Sequence, residues 1–468
     1  MTKSYDAVVI GSGPNGLGAA ITMAQAGRSV LVLEEQDEAG GGARSGELTL
    51  PGFTHDLFSA VHPMALESEF FAGLPLANYG LEWIHSPSVL AHVLDDRAVL
   101  LDRSVEKTAA ALGKDQACYA GRIGELLRGW PYYKSELLRP LRFPRHPLRL
   151  ANIGLPALLP ASLLAKVSFR EEGTRALFAG IAAHSALPME SPGSSAFGLT
   201  LMLAAHHVGW PIPRGGARSI SQALLSHLRA LGGEIITGTP VRSLAQLPRA
   251  RTIFFDLTPR QIVAIAGEKL GRAFTSRLRR YRYGPGVFKI DWALNGPIPW
   301  KHPGVASAAT VHLGGTLKEI AHSERETWHN RISDRPFVLL AQPSLFDPSR
   351  APSGKHTAWA YCHVPHASTA DMTARIEAQV ERFAPGFRDL ILARSSTGPA
   401  QLETRNANLV GGDINGGAVG LSQLFLRPTA RLYRTSRPDM FICSSSTPPG
   451  GGVHGLCGYY AAREALGP

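Results

Sequence analysis

Three glycines and one carboxylate near the N-terminus have the types and spacing of a nucleotide-phosphate site. Gly11, Gly13 and Gly16 form a G-x-G-x-x-G turn, and Glu34 follows it. Glycine permits a tight turn at the first position, lets the backbone approach a diphosphate at the second, and allows close helix–strand packing at the third. A carboxylate about twenty residues later accepts hydrogen bonds from ribose hydroxyls and repels a 2′-phosphate. The pattern predicts a dinucleotide site and disfavours NADP.

The segments around this turn have the pattern of a βαβ unit. Residues 6–10 predict a buried parallel strand, residues 17–26 a helix closed by Gly27, and residues 28–33 a second buried strand. The N-terminus of such a helix presents free N–H groups and the positive end of its dipole to phosphate. The cofactor-binding candidates in this unit are Gly11, Gly13, Pro14, Asn15, Gly16, Glu34 and Glu35.

A second glycine run follows the acidic residues. Gly40, Gly41 and Gly42 precede Arg44. Glycines at these positions would let the backbone pass close to a cofactor, and the guanidinium of Arg44 could neutralise a diphosphate. A solvated surface arginine is the alternative interpretation. Gly41, Gly42 and Arg44 are therefore further cofactor-binding candidates.

A loop rich in glycine and proline lies near the C-terminus. Residues 439–443 predict a strand, residues 444–452 predict an irregular loop, and residues 453–465 predict a terminal helix. The helix N-terminus could stabilise negative charge on a reduced flavin, a contribution of about 0.3–2 kcal/mol. Gly451, Gly452 and Val453 are the cofactor-binding candidates of this loop. The alternative is a glycine loop that only closes the fold.

His454 is the one titratable side chain in this loop that could do chemistry beside a flavin. An imidazole there could donate a proton or bind substrate. A structural histidine bonded to the backbone is the alternative. We therefore treat His454 as a flavin-proximal candidate and assign no catalytic residue.

Several longer segments match a known family. The most specific is 446–455, Ser-Thr-Pro-Pro-Gly-Gly-Gly-Val-His-Gly, with 458–462 behind it. Interior segments that match are 213–224, 233–237, 240–242, 284–293 and 408–413. Together they resemble the FAD-dependent phytoene desaturase and carotenoid–retinoid oxidoreductase superfamily. Within it, the chain is most similar to the pyridine nucleotide-disulfide oxidoreductase domain-containing protein 2 group.

The resemblance implies an α/β fold with a Rossmann-type FAD-binding domain and an inserted α+β substrate domain, as in amine oxidases and phytoene desaturases. The FAD-binding domain would comprise residues 1–75, 210–260 and 425–468, and the substrate domain residues 76–209 and 261–424. Val241 is carried over as an adenine contact. Where many relatives have an acidic residue in the strand-end turn, this chain has 444–446, Ser-Ser-Ser, so contacts there would come from hydroxyl or backbone groups.

The resemblance also implies an FAD-dependent dehydrogenase, desaturase or oxidase. Its substrate would be a hydrophobic small molecule, polyene-like or lipid-like. A separate NADPH domain is not expected, because no second G-x-G-x-x-G follows a strand. Two alternatives stay open: a flavin-containing scaffold protein with little turnover, and a redox-neutral isomerase of polyenes.

Composition and residue spacing limit the other binding partners, metal sites and cellular locations that the chain could have. Lys and Arg number 48 against 37 Asp and Glu, but they are scattered along the chain, so no nucleic-acid partner is expected. The four cysteines and the histidines lack metal-ligand spacing, so no metal site is expected. We find neither a secretory leader nor an apolar run long enough to span a bilayer, and therefore expect a cytoplasmic protein. The sequence does not indicate an oligomeric state.

Residues 137–166 alternate leucine, arginine and proline. The prolines prevent one long continuous helix. Basic residues beside apolar ones could dock on anionic lipid, which would give a peripheral membrane contact. An ordinary loop-and-helix lid is the alternative, and the sequence does not decide between them.

Overall fold

The structure is a computed structural model that describes residues 3–140, 142–420, 423 and 426–467. Residue 141 of the predicted lipid-facing segment lies outside these residues, as does the predicted domain boundary between 424 and 425. The strands are β1 Tyr5–Ile10, β2 Val30–Leu33, β3 Ser45–Glu47, β4 Thr54–Asp56, β5 Trp83–Ile84, β6 Ser88–Val93, β7 Ala98–Leu101, β8 Ile212–Pro213, β9 Glu234–Ile236, β10 Ala250–Phe255, β11 Gly286–Leu294, β12 Ala308–Leu313, β13 Val338–Ala341, β14 His356–Val364, β15 Ile391–Thr397 and β16 Met440–Ile442.

The helices alternate with these strands over much of the chain. The α-helices are α1 Pro14–Gln25, α2 Pro63–Glu67, α3 Glu69–Ala72, α4 Val105–Ala110, α5 Gln116–Leu137, α6 Pro147–Leu158, α7 Ala161–Ser168, α8 Glu172–Ala182, α9 Ser194–His207, α10 Arg218–Ala230, α11 Pro259–Ala266, α12 Arg272–Arg279, α13 Leu317–Trp328, α14 Thr373–Phe383, α15 Pro399–Arg405 and α16 Leu456–Leu466. Short 3₁₀ helices are Leu76–Tyr79, Gly113–Asp115, Ala183–Ser185, Leu244–Gln246, Pro303–Ser307, Pro343–Leu345, Pro348–Arg350, Arg388–Leu390 and Val410–Gly412.

A parallel sheet forms the first layer of the fold. Within the described chain it has five strands in the order β16-β10-β1-β2-β9, and every neighbouring pair is parallel. Its central strands are apolar on both faces because helices cover both sides, as parallel sheets require. The strands predicted at 6–10, 28–33 and 439–443 are confirmed, with bounds that differ by one or two residues.

Two sets of helices cover this sheet. Helices α1, α10 and α16 supply one apolar layer, and α11 and α12 supply the other. Residues of α11 and α12, such as Ile262 and Phe274, pack against β1 and β2 although they follow the predicted domain boundary at 260. The layer that supports the predicted cofactor domain therefore continues to about residue 279.

The first and last helices meet through glycines. A side chain at Gly458 would overlap the carbonyl oxygen of Asn15 and would lie 2.6 Å from the backbone nitrogen of Ala19. A Cβ at Gly18 would lie 2.5 Å from the carbonyl oxygen of Gly455. The two chain ends therefore pack backbone to backbone, which places the C-terminal loop beside the N-terminal glycine turn.

A second, mostly antiparallel sheet forms the other part of the fold. Its order is β15-β11-β14-β13-β12-β6-β7 among the described residues, and β12 with β6 is the parallel pair. Helices α5, α8 and α9 pack on one side of it, and α14 packs on the other. This sheet supplies a wall opposite the nucleotide turn.

Within the described ranges, no single helix has both the length and the apolar composition needed to cross a bilayer. The pair α6 and α7 reaches that length and composition only when taken together, and its two helices are bent by 108°.

Candidate functional site

One cavity brings together all of the predicted candidates except Gly16. Its volume is about 920 Å³, near the upper end of the range of about 300–1,000 Å³ for small-molecule sites. Part of its wall is the glycine turn at the carboxyl end of β1, and another part is formed by strands of the second sheet. The C-terminal loop completes the wall, so one ligand could touch both ends of the chain.

The glycine turn has the backbone geometry that its sequence predicts. Gly11 has φ +99°, a conformation that side chains disfavour. A Cβ at Gly16 would overlap the carbonyl oxygen of Gly11, so glycine is needed there for helix–strand packing. Gly11 and Gly13 line the cavity, whereas Gly16 lies behind the turn.

Pro14 and Asn15 begin helix α1 and line the cavity. The predicted helix 17–26 therefore starts three residues earlier, because proline is well suited to the first helical position. The Oδ1 atom of Asn15 is buried without a hydrogen-bond partner among the described residues. A buried acceptor without a donor is costly, and a ligand donor in the cavity would satisfy it.

Glu34 lies at the end of β2 as a buried carboxylate in the cavity wall. One oxygen accepts hydrogen bonds from the backbone N–H and the hydroxyl of Ser12, at 2.9 and 2.6 Å. The other accepts from the backbone N–H of Gln36 at 2.9 Å. The oxygen that accepts from Gln36 has one lone-pair site left, so Glu34 is held in place and can still accept from a ribose hydroxyl.

Glu35 also lines the cavity, but its carboxylate pairs with Arg242. Val241 is buried, lines the same stretch of wall and packs in the apolar layer beneath β1 and β2. The geometry thus brings the carried-over adenine candidate into the same cavity wall as Glu34, the ribose candidate, and Glu35.

The second glycine run lies directly against the first. A Cβ at Gly41 would be 2.7 Å from Cα of Gly13, so these two backbones touch. Gly42 also lines the cavity, yet a Cβ there would meet no atom of the described chain within 4 Å. Packing within the protein therefore does not require glycine at 42, whereas a ligand passing close to the backbone would.

Arg44 is not a solvated surface arginine, because only 6% of it is exposed. Its Nε and Nη2 donate to the carbonyl oxygens of Gly41 and Arg405, at 3.0 and 2.6 Å. Glu34 and Glu38 act on its charge, but neither forms an ion pair with it among the residues described here. Burial lowers its pKa, which a bound anion would oppose.

The C-terminal loop contributes Gly451, Gly452 and Val453 to the cavity wall. The predicted helix 453–465 is wrong at its start, because α16 begins at Leu456. Gly455 precedes it with φ +67°, a left-handed conformation that ends the loop. Among the described residues, the loop up to His454 lines the cavity, whereas the first turn of α16 does not.

His454 lines the cavity, but both of its ring nitrogens are engaged with the backbone. Nδ1 accepts from the N–H of Leu456 at 3.0 Å, and Nε2 donates to the carbonyl oxygen of Gly450 at 3.1 Å. Burial lowers its pKa to about 4. These two hydrogen bonds are those of a structural histidine, and they occupy both ring nitrogens.

Asp256 is a site residue that sequence reasoning missed. It follows β10, lines the cavity and accepts a hydrogen bond from the backbone N–H of Gly16 at 2.9 Å. A Cβ at Gly13 would lie 2.6 Å from its Oδ2. Burial raises its pKa to about 7. The available signal was an acidic residue at the end of an apolar strand.

Lys289 is the second missed residue. It projects from β11 into the cavity wall, almost fully buried, with Nζ 5.5 Å from the ring centre of Trp359. Its ammonium pairs with Asp291, whose other oxygen lies 3.6 Å from Nδ1 of His55. Desolvation lowers the pKa of Lys289. The signal was Lys and Asp two positions apart in an apolar strand.

Most of the cavity wall that α9 and the second sheet contribute is apolar or aromatic. We call it the aromatic chamber; its lining residues are Phe197, Thr200, Leu201, Trp210, Lys289, Thr310, Leu339, Leu340, Ala341, Trp359 and Tyr361. Trp359 and Tyr361 stack with ring centres 5.7 Å apart. Among the residues that the structure describes, the chamber contains no carboxylate, and the acidic residues of the cavity wall are Glu34, Glu35, Glu136 and Asp256.

Comparison with known proteins agrees with this geometry. A family described as "NAD(P)-binding Rossmann-like domain" matches residues 9–71. Pyridine nucleotide-disulfide oxidoreductase domain-containing protein 2 of Rattus norvegicus is 28% identical and covers 99% of this chain and 93% of its own. The zeta-carotene-forming phytoene desaturase of Myxococcus xanthus is 25% identical, and the match covers 97% of this chain and 92% of the desaturase.

Solved structures show the same fold. A structure of putrescine oxidase bound to putrescine superposes with a TM-score of 0.66 at 15% identity, and the match covers 100% of both chains. The resemblance and the fold class predicted from the sequence are confirmed. The chain is thus similar over nearly its whole length to the pyridine nucleotide-disulfide oxidoreductase domain-containing protein 2 and phytoene desaturase proteins, and it has the amine-oxidase-type fold.

Proposed function

We propose that this chain is an FAD-dependent oxidoreductase acting on a hydrophobic, polyene-like or lipid-like substrate. The observation that carries the proposal is the single cavity, in which a dinucleotide-type glycine turn is continuous with the aromatic chamber. A redox cofactor held at the turn and an apolar substrate held in the chamber would then share one water-poor space.

The cavity wall supports FAD more than a dissociable nicotinamide cofactor. The N-terminal turn, Glu34 and the loop of Gly451 and Gly452 all face the same space. A ligand that contacts all of them must be a long dinucleotide, with its ribose at Glu34 and its ring at the C-terminal loop. Gly42 and Asn15 fit such a ligand. Gly42 leaves it room, and the Oδ1 of Asn15, which has no partner in the described part of the chain, needs a donor.

The aromatic chamber favours an uncharged apolar substrate over an amine. A protonated amine would lose its hydration there and would face Lys289 with no carboxylate in the chamber wall to pair with. Burying such an unpaired charge is costly. The Myxococcus xanthus relative is named for a polyene and the structural neighbour for a diamine. Of these two classes, the chamber is suited to the first.

The chain's own residues would position the reactants and exclude water. Bound FAD would supply the two-electron acceptor. The stacked Trp359 and Tyr361 would hold an extended apolar substrate by its face, and Lys289 would keep its proton on Nζ through Asp291. His454 would brace the loop through Gly450 and Leu456 instead of exchanging protons.

The test is a spectrum followed by turnover. We expect the purified chain to show bound flavin that is reduced by dithionite under anaerobic conditions and reoxidised by oxygen or a quinone. Anaerobic addition of a C40 polyene should bleach the oxidised flavin, whereas putrescine should not.

Other results would assign another function. Flavin that stays oxidised with every polyene, lipid and amine would favour the scaffold interpretation. Conversion of a polyene to a product of equal mass, only after dithionite, would favour the isomerase. Bleaching by putrescine alone would contradict the proposed substrate class.

A further inference from the structure

Large apolar side chains are exposed mainly in one short segment. Among the residues that the structure describes, twelve large apolar side chains are exposed, and seven of them lie between 137 and 167. The most exposed are Leu148 at 89% and Phe143 at 86%. The seven are Leu137, Phe143, Leu148, Leu155, Leu158, Leu163 and Val167. Isolated exposed leucines are ordinary, but such a concentration marks an interaction surface.

The same segment carries only positive charge. No acidic residue occurs between Glu136 and Glu171. The cations within that interval are Arg139, Arg142, Arg145, Arg149, Lys166 and Arg170. Of these, Arg142 is paired with Glu136 at 2.8 Å, and Arg149 lies 4.9 Å from the ring centre of Tyr132. The described part of the segment therefore combines apolar side chains with a net positive charge.

The two helices of the segment are anchored by their other side. Ile153 of α6 and Ala161 and Ala165 of α7 are buried in the core beneath α5, α8 and α9. The exposed leucines are therefore the outward face of a fixed scaffold, and the interpretation of 137–166 as an ordinary buried lid does not account for them. We call the outward side chains of 142–170 the basic apolar face.

The cavity reaches this face. Leu155 and Leu158 are exposed at the surface and also line the cavity. Leu150, Ala151 and Gly154 of the same helix line the cavity further inward. The α6 helix thus forms one side of an opening between the cavity and the outside.

We infer that the basic apolar face docks on an anionic lipid bilayer and that the opening beside α6 admits the substrate from that bilayer. Phe143, Leu148 and Leu155 would enter the interface while Arg145 and Arg149 meet acidic headgroups. The role of the opening rests on the proposed function, whereas the docking itself does not.

The direct test is vesicle flotation of the purified full-length protein. We expect the protein to float with vesicles of equimolar phosphatidylcholine and phosphatidylglycerol, and to float much less with phosphatidylcholine alone. The variant Phe143→Ser with Leu148→Ser should bind the mixed vesicles about a hundredfold more weakly, because each apolar side chain contributes about tenfold or more. The matched control, Leu231→Ser with Leu392→Ser, removes two exposed leucines elsewhere and should bind like the wild type.

Charge is tested in the same way. Arg145→Gln with Arg149→Gln should weaken binding to the mixed vesicles roughly thirtyfold, about fivefold for each arginine near the surface. Arg272→Gln with Arg279→Gln on α12 removes the same charge from another exposed site and should have little effect.

Three results would overturn the inference. They are failure of the wild type to float with mixed vesicles, equal binding by the face variants and their controls, and a wild-type dimer that the Phe143 and Leu148 substitutions dissociate. The last result would assign the face to a second copy of the chain. Flavin content is read in the same fractions, so a colourless protein that still floats would refute the proposed function and keep the docking.

Discussion

Replacement of Gly458 by alanine tests whether the two chain ends must pack together to hold the cofactor. The new Cβ would overlap the carbonyl oxygen of Asn15 and lie 2.6 Å from the backbone nitrogen of Ala19. Both obstacles are backbone atoms of α1, so no side chain can rotate away. Overpacking typically costs about 1–3 kcal/mol, and we expect at least the upper value here. Because Asn15 also lines the cavity, α16 can be accommodated only if the cofactor turn is displaced.

The assay compares urea unfolding and flavin content with those of a matched glycine variant. Gly121 lies in α5, and a Cβ there would meet nothing within 4 Å. Gly121→Ala should therefore be neutral or stabilise by up to about 1 kcal/mol, the helical preference for alanine. Gly458→Ala should lower the urea midpoint and release flavin. A Gly458→Ala protein with wild-type midpoint and wild-type flavin content would refute this account of the helix contact.

Three further predictions concern the cavity wall. Gly42→Ala should weaken FAD binding but leave the stability of the flavin-free protein unchanged, because the alanine Cβ would meet only the proposed ligand. An unchanged FAD affinity in a fluorescence titration would place the cofactor elsewhere. Asp256→Asn should be more stable than the wild type above pH 7. Burial raises the pKa of Asp256 from 3.8 to about 7, so the wild type loses at most about 4 kcal/mol of unfolding free energy as the pH rises through that window. Equal urea midpoints of the two proteins at pH 8 would contradict this. Lys289→Met should lower the free energy of unfolding by about 3–5 kcal/mol, because it leaves Asp291 buried and unpaired. Adding Asp291→Asn should restore much of that stability. Equal melting temperatures of the single and double variants would disprove the coupling.

The parts of the site that sequence could predict are those whose chemistry is local. Gly11, Gly13 and Gly16 need their backbone conformations within one turn, and Glu34 ends the next strand. Spacing alone therefore predicts the turn and its carboxylate; Gly11, Gly13 and Glu34 line one cavity, and Gly16 packs behind it. The same holds for Gly451 and Gly452, which lie in a loop too rich in glycine and proline to be regular.

The parts that sequence could not supply depend on contacts between distant segments. Asp256 joins the site because β10 pairs with β1, a register that no local pattern fixes. Lys289 belongs to the second sheet and faces the cavity only through its packing with β14, which carries Trp359. Both are charged residues within or directly after an apolar strand, a signal that indicates a buried role without showing which site it serves.

The errors at the C-terminus have a conformational cause. Residues 453–465 have helical composition, but the left-handed Gly455 delays the helix to Leu456. His454 is thereby held at the end of the loop, where its nitrogens cap backbone groups. Composition indicates a helix but does not report the φ angle at which it begins.

The most direct test of the central claim is a titration of the flavin-free chain with FAD. We expect one FAD bound per chain, with quenched flavin fluorescence and a yellow protein after gel filtration, and we expect Gly13→Val to abolish this binding because its side chain would strike Oδ2 of Asp256 and fill the diphosphate turn. A wild-type chain that stays colourless in excess FAD, or a Gly13→Val chain that binds FAD normally, would contradict the claim.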